Sequence, residues 1–272
     1  MAPFFTGIAK NLGGLGFGRL QQVEGPSSRS VTIYLWGATG NGGRGGPAYA
    51  GGFTTIQGTA SIGTTLTYIV GTKDSARNFY TGGSAGNNSS GGFSAIFVGP
   101  NVGPGPGRSF ALGVAGGGGA SGYDHYTEAY GGSGGGTTGG PGSGNPSCGH
   151  GAGGSGPAWI GEPGGAGGGG GGWFGGRSGD GPGACAPDSA AAGGGGSGYV
   201  APAGNKTNGT NSFNLTTGAT YNGGFGAVYT NPTGYPDAPG AIGKVVILVD
   251  GVAVVSTITA PPGAATVDYT IV

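Results

Sequence analysis

Charge is what this sequence has least of. Charged side chains make up only 7% of it, ten Lys or Arg against ten Asp or Glu, where about 25% is usual for a soluble domain. A formal net charge of zero with no basic stripe argues against nucleic acid as a partner, because neutralising phosphates takes clustered cations. The same scarcity argues against a charge-solvated disordered chain, which would be rich in Lys, Glu and Gln. Cysteine is nearly missing: Cys148 and Cys185 define no disulfide framework, and whether they pair is open. Long apolar runs are missing as well. VVILVDGVAVV (245–255) is broken by Asp250 and Gly251, so no membrane insertion is expected. The opening MAPFFTGIAKNLGGLGFGR lacks the basic region and unbroken apolar stretch of a secretory signal.

Glycine is what the chain has in excess: 76 of 272 residues, roughly four times the usual share. Beside it stand 35% apolar and 10% aromatic residues, so there is surface to bury and little charge to keep it in water. Residues 1–28 carry FF, LGGLGFGR and QQVEGPSS. They are too short and glycine-broken to fold alone, and too apolar for a solvated tail. A docking arm fits them better, with Phe4, Phe5, Leu12, Leu15, Phe17 and Arg19 as its contact residues.

From residue 30 the pattern changes to short β-branched and aromatic runs bounded by Gly, Pro or Asn. SVTIYLW (30–36), GFTTIQGTA (52–60), TTLTYIV (64–70), GFSAIFV (92–98) and SFALGVA (109–115) read as strands. After residue 198 the signal returns in FGAVYT (225–230), GKVVILVDG (243–251), VAVVSTI (252–258) and TVDYTIV (266–272). Asp250-Gly251 between two β-branched runs is a hairpin turn signal. No helical periodicity competes, and so much glycine opposes one. The spacing predicts an all-β antiparallel sandwich.

Residues 116–198 hold 38 glycines in 83 positions. Their spacing is irregular, which excludes the strict Gly-X-Y repeat of collagen. The expected organisation is a docking arm (1–28), a β-sandwich (29–115 plus 199–272) and an inserted glycine block (116–198). Such a block is ordered only if extended, three-residue-per-turn glycine segments satisfy one another's N–H and C=O groups laterally. Fixing each residue costs about 1–2 kcal/mol, so the block requires anchors at its edges. Trp159, Trp173, Phe174 and Tyr199 stand where glycine runs begin or end and are the expected anchors.

The segments LWGATGNGG (35–43), GTTLTYIVG (63–71), LGVAGGGGASG (112–122), GAGGGGGGWFGG (165–176) and AAGGGGSGYV (191–200) together resemble the glycine-rich domain of the anaplastic lymphoma kinase and leukocyte tyrosine kinase type. The likeness covers roughly residues 30–250. It implies a jelly-roll, tumour-necrosis-factor-like β-sandwich carrying an inserted bundle of polyglycine II helices. That domain also occurs widely in bacterial and phage proteins. No kinase segment accompanies it, and no motif carries over the cytokine ligand of the kinase-type domains. The N-terminal arm is similar to the anchoring segments of phage tail and fibre proteins, and polyglycine II blocks recur in the tail-fibre tip adhesins of T-even-like phages. The Trp-rich attachment domain of those adhesins has no counterpart here.

Catalytic signatures do not rise above composition. GGSAG (82–86) and GGSGG (131–135) satisfy the nucleophile-elbow pattern, but neither lies between a clear strand and a helix. WGATGNGGRGG (36–46) runs into Pro47 rather than opening a helix as a dinucleotide site must, and reads as a loop. Cys148, His150, Cys185 and His125 lack a usual zinc-ligand spacing. Asp124 and Glu128 are no glycosidase pair, since nothing fixes their separation. Neither an enzyme nor a cofactor or metal is expected. The Asn-x-Ser/Thr sequons at Asn87, Asn88, Asn205, Asn208 and Asn214 read as Asn/Thr-rich loop composition.

The most polar interval within the glycine block is YDHYTEAY (123–130), with Tyr123, Asp124, His125, Tyr126, Glu128 and Tyr130 together. It is either a solvated excursion between two glycine segments or a recognition loop, for which Tyr offers large contact area at low entropy cost. KDSARNFY (73–80) and GYPDAP (234–239) are weaker candidates of the same kind. The leading expectation is a non-enzymatic virion structural protein, a phage tail-fibre or adhesin component within a multimeric assembly. Its arm contacts other virion proteins, and its loops face a host cell-surface receptor or glycan. The alternatives are a capsid decoration or fibre protein without a receptor role, and a secreted or cell-surface glycine-rich binding module.

Overall fold

The computed structural model describes residues 27–40, 49–72, 84–85, 88–100, 102, 105–122, 129–136, 138–143, 167–180, 191–216, 221–222, 242–257 and 266–272. Among them the protein is almost entirely β, with one short 3₁₀ turn at Gly105–Phe110. The strands are β1 (Ser28–Trp36), β2 (Phe53–Ser61), β3 (Thr65–Ile69), β4 (Ser84–Ala85), β5 (Asn88–Ser89), β6 (Ser94–Val98) and β7 (Ala111–Ala115). After the glycine-rich stretch come β8 (Tyr199–Val200), β9 (Gly204–Asn208), β10 (Asn211–Leu215), β11 (Tyr221–Asn222), β12 (Lys244–Val249), β13 (Val252–Thr257) and β14 (Val267–Thr270). All pairings are antiparallel. The larger sheet runs β13-β12-β1-β2-β10-β9, with β11 on the end of β2. The smaller runs β14-β3-β6-β7-β8, and β4 and β5 form a separate pair.

Burial along each strand shows how the sheets are stacked. β1, β2 and β12 alternate buried and half-exposed positions, the signature of a sheet with one wet face. Their inward residues Val31, Ile33, Leu35, Ile56, Val245 and Ile247 pack with Leu66, Ile96, Val98 and Leu112 of the smaller sheet and with Phe213 of β10 in one core. β6 and β7 are buried at every position, so the smaller sheet is covered on both sides. Its second face carries Ile69, Phe93, Ala95, Phe97 and Val114, with Trp173 and Tyr199 packed against them.

Each predicted strand that falls on described residues is present, with ends that differ by one or two residues: Ser109 and Phe110 belong to the 3₁₀ turn ahead of β7, Gly92 and Phe93 precede β6, and Ile271 and Val272 follow β14. FGAVYT (225–230) lies outside the described residues. The Asp250-Gly251 signal is a two-residue turn between β12 and β13 with φ of 48° and 81°, the left-handed pair that a type I′ hairpin requires. Asp250 also ties this turn to the start of β1. Its Oδ1 accepts from the Ser30 amide at 3.0 Å, and its Oδ2 pairs with Arg29 at 3.1 Å. The Arg29 Nε in turn donates to the Val272 carbonyl at 3.2 Å. The β9–β10 hairpin has no alternating pattern in sequence. It turns at Gly209 (φ 63°), and its asparagines stitch it to the smaller sheet: Asn208 Nδ2 donates to Val98 O and Asn211 Oδ1 accepts from Thr65 N, at 2.9 and 2.7 Å.

Strands from both sheets run on into glycine. β1 continues as 37–40 and β7 as 116–122, while 49–52, 91–93 and 191–198 lead into β2, β6 and β8. Together with 129–136, 139–143 and 167–180 these segments form a slab closed by backbone hydrogen bonds. The order of donors is regular. Gly193 and Gly196 donate to Ala120 and Gly117, Gly194 and Ser197 to Arg177 and Phe174, and Gly195 and Gly198 to Gly140 and Gly136. Successive residues thus address three neighbouring segments in rotation, and each neighbour recurs at every third residue. Gly117 and Ala120 repeat the same step, donating to Gly171 and Gly168, and between them Gly118 and Gly119 turn to Ala38 and Gly132. A pleated strand, with period two, cannot generate this order. The network includes residues 37–40, 49–52 and 91–92, ahead of the 116–198 stretch.

Neighbouring segments approach so closely that side chains have no place between them. A Cβ built at Gly169 overlaps the carbonyl oxygen of Gly176, and one at Gly196 overlaps that of Gly171. By contrast, nothing lies near a Cβ at Gly209. Gly169→Val is expected to lower stability by more than about 3 kcal/mol, or to prevent folding, because backbone on the facing segment cannot be displaced cheaply. Gly209→Ala, which strains only its own left-handed φ, is expected to cost about 1–2 kcal/mol. Chemical denaturation of the two variants beside the parent checks the contrast.

Candidate functional site

Three of the four expected anchor residues are described, and the structure brings them together. Trp173 and Phe174 end the glycine run that starts at Gly167, while Tyr199 opens β8. The Trp173 and Tyr199 rings stack at 3.7 Å with planes 8° apart. Backbone bonds lock this corner: Trp173 N donates to Ser197 O, Ser197 N to Phe174 O and Phe174 N to Ser197 Oγ, each at 2.9 Å. Trp159 lies outside the described residues.

The residue that completes this corner is one that sequence reasoning passes over. Arg108, from the 3₁₀ turn, sets its guanidinium 4.0 Å from the Trp173 ring centre and 5.2 Å from that of Phe174. Its Nη2 donates to the Trp173 carbonyl at 2.9 Å. Burial pulls the Arg108 pKa below its ordinary value, with Tyr199 opposing the shift. Burial also raises the Tyr199 pKa, and the neighbouring guanidinium offsets only part of that rise. The group is a planar cation on an aromatic stack, holding slab, 3₁₀ turn and β8 at one point. The one sequence hint was a charged residue set between GPGPG and a strand in a chain with so few charges.

Of the polar interval 123–130, residues Tyr123, Asp124, His125, Tyr126 and Glu128 lie outside the described residues, and Tyr130 lies within them. The Gly122 amide donates to the Ala129 carbonyl at 3.2 Å, so the ends of this interval are joined. Half-buried Tyr130 packs its ring against Tyr49 at 5.7 Å, and its carbonyl accepts from the Ser143 amide at 2.8 Å. The structure therefore attaches the interval to the slab and makes Tyr130 part of that attachment. The arm residues Phe4, Phe5, Leu12, Leu15, Phe17 and Arg19, the loops 73–80 and 234–239, and Cys148, His150, Cys185 and His125 also lie outside the described residues. Ser133 of GGSGG is in a slab segment, its carbonyl accepting from Gly140 N at 2.7 Å, and no helix follows it among the described residues.

A second aromatic group lies on the wet face of the larger sheet. Tyr34 and Trp36 occupy outward positions of β1, and Phe53 pairs with Trp36 from β2. Ring centres are 4.9 Å apart for Trp36 and Phe53, and 6.1 Å for Tyr34 with either. Lys244, opposite Trp36 on β12, brings Nζ to 5.7 Å from the Trp36 ring centre. Y-L-W in β1 carries this signal in plain view, because alternation puts its two aromatic residues on the face opposite the core.

No family model and no curated protein sequence matches the chain. Among the described residues no helix is long and apolar enough to cross a membrane.

Arg108→Met retains much of the side chain's bulk but loses the charge and the bond to the Trp173 carbonyl. It is expected to destabilise the protein by about 1–3 kcal/mol and to shift Trp173 emission. Tyr199 supplies a pH test. Its folded-state pKa is raised, so its contribution is fully present below the ordinary value of 10.0 and lost as pH rises past it. Melting points recorded from pH 9 upward should fall less steeply for Tyr199→Phe than for the parent.

Proposed function

We propose that the chain is a non-enzymatic virion structural protein, a phage tail-fibre or adhesin component that docks by its N-terminal arm and holds loops toward the host surface. The observation that carries this reading is the glycine slab. Its backbone is bonded laterally in three directions, and its glycines leave no space for side chains. Binding loops require such a base, since a rigid mount reduces the ordering cost when a loop meets its target. The closure of the 123–128 interval by Gly122 and Ala129 supports its role as the displayed loop.

Within this reading the slab is a bundle of polyglycine II helices. The period-three rotation of donors supports that assignment, as this conformation has three residues per turn and no internal hydrogen bonds. The two sheets, between which the chain passes after β2, β8 and β13, with a wet face on the larger one, are read as a jelly-roll of the tumour-necrosis-factor-like kind. Both assignments agree with the resemblance to glycine-rich domains of the anaplastic lymphoma kinase type. The apolar arm at 1–28 supplies the contact to other virion proteins, and the particle is the setting that gives a low-charge, rigid, loop-bearing chain a purpose.

Deleting residues 1–20 is expected to abolish incorporation into particles while the purified remainder stays folded and soluble; normal incorporation would refute the docking arm. Replacing Tyr123 and Tyr126 with alanine is expected to lower host adsorption several-fold without changing the melting point. Unchanged adsorption would favour a decoration or fibre protein with no receptor role. Recovery of the chain free of particles would favour a secreted module.

A further inference from the structure

We infer that the wet face of the larger sheet binds an uncharged saccharide chain, with Trp36, Tyr34 and Phe53 as the stacking platform and Lys244 and Thr55 as hydrogen-bonding neighbours. The site is separate from the 123–130 loop and does not depend on the virion setting.

The first support is the geometry of the rings. Each of the three is half-buried, so part of every ring remains open to solvent although apolar residues were available to the chain. Tyr34 and Phe53 are within 11° of parallel, and Trp36 is inclined to them by 39° and 44°. The rings brace one another across β1 and β2, so little rotamer freedom remains to be lost when a ligand arrives. A pyranose ring offers an apolar C–H face to such a surface and a belt of hydroxyls at its rim.

The second support is what surrounds them. On the β12 side Trp36 pairs with Lys244 and Tyr34 with Val246, and on the β2 side Tyr34 pairs with Thr55. Farther along the face, Thr32 is opposite Gln57, and the outward positions of β2, β10 and β9 continue as Thr59, Asn214 and Asn205. Over β9, β10, β2, β1 and β12 the outward ladder positions hold a single charged side chain, Lys244, and no carboxylate. This composition selects among occupants. A nucleic acid requires several cations to replace its counterions. An anionic membrane surface requires a basic cluster. A stable protein interface puts a broad apolar core beneath a polar rim, whereas here the apolar side chains form a narrow band of Trp36, Phe53, Tyr34, Val246 and Leu248, and hydroxyl and amide side chains fill the face over β2, β10 and β9. Neutral donors and acceptors beside stacked rings match a neutral sugar, which needs apolar contact on its face and uncharged partners for its hydroxyls.

The purified full chain is run in native gels containing dextran, hydroxyethylcellulose or alginate, with emission of the chain's tryptophans recorded in parallel. Retardation by at least one of the two neutral polysaccharides is expected. Trp36→Ala is expected to raise the apparent dissociation constant roughly tenfold or more, and Tyr34→Leu, which keeps apolar bulk but removes the ring, to raise it by less. Exposed Val252 on β13 provides the control, so Val252→Thr should bind like the parent. If Trp36→Ala has a lowered melting point, Tyr34→Leu and Lys244→Gln carry the comparison. Free mobility of the parent in both neutral gels overturns the inference, as does retardation by alginate alone or equal retardation of the parent and the ring variants. Self-association of the parent that Trp36→Ala abolishes, without polysaccharide binding, also overturns it and assigns the face to a second copy of the chain. Particle incorporation and adsorption are not read here, so failure of this site and failure of the virion reading are separable.

Discussion

A glycine amide on one segment donating to a carbonyl on the next, with no Cβ between them, is the contact on which the rest of this structure depends. Ordering a residue costs about 1–2 kcal/mol in backbone entropy, and a single backbone hydrogen bond returns a net of about 0.5–1.5 kcal/mol. An isolated slab would therefore be at best marginal. What tips the balance is that its segments do not start free. Gly37, Gly92, Gly116 and Gly198 are each within a few residues of a strand in the sandwich, so the sheets hold one end of these segments in place. The slab and the sandwich are thus one construction: the sandwich limits the entropy loss, and the slab extends the order of its strands.

Aromatic residues settle where that order stops. Trp173 and Tyr199 cover a sheet face that would otherwise meet water, since Ile69, Phe93, Phe97 and Val114 are packed behind them. Arg108 then covers the stack with a planar cation and a bond to the Trp173 carbonyl. A flexible ammonium in that place would supply charge without a matching plane. At the opposite kind of edge, Tyr49 and Tyr130 meet beside the joined ends of the 123–128 interval. Among the described residues large rings are therefore not scattered through the glycine; they mark its borders, where the side chains that glycine lacks are needed.

Much of this was legible in the sequence, and the reasons differ by element. β1 and β2 announce themselves because one wet face forces apolar and polar residues to alternate, and β12 does so as a β-branched run whose outward Val246 and Leu248 are apolar as well. β6 was legible as a short apolar run, the form taken by a strand buried on both faces. The β9–β10 hairpin was not, because its outward and edge positions are Asn, Lys and Thr, and its stability comes from asparagine side chains bonded to a neighbouring sheet. The glycine block could be judged ordered from its aromatic ends, but its partners could not be read: nothing in the sequence says that Gly195 bonds to Gly140 while Gly194 bonds to Arg177. Nor was Arg108 legible as an anchor, since its role depends on a ring 65 positions away. The Tyr34 and Trp36 platform was visible as alternation within β1 and needed only the pairing of Phe53 and Lys244 to become a surface.

The crowding at Gly169 and Gly196 also has a genetic side. Every single-base change in a glycine codon that alters the residue adds at least a Cβ, and nearly all such changes within the slab meet facing backbone. Missense variation there is removed by folding itself, before any question of activity arises. Positions such as Gly209, where nothing lies near an added Cβ, meet no such filter. One gene thus contains positions that tolerate almost no change beside positions that tolerate more, with the boundary drawn by how closely backbones approach.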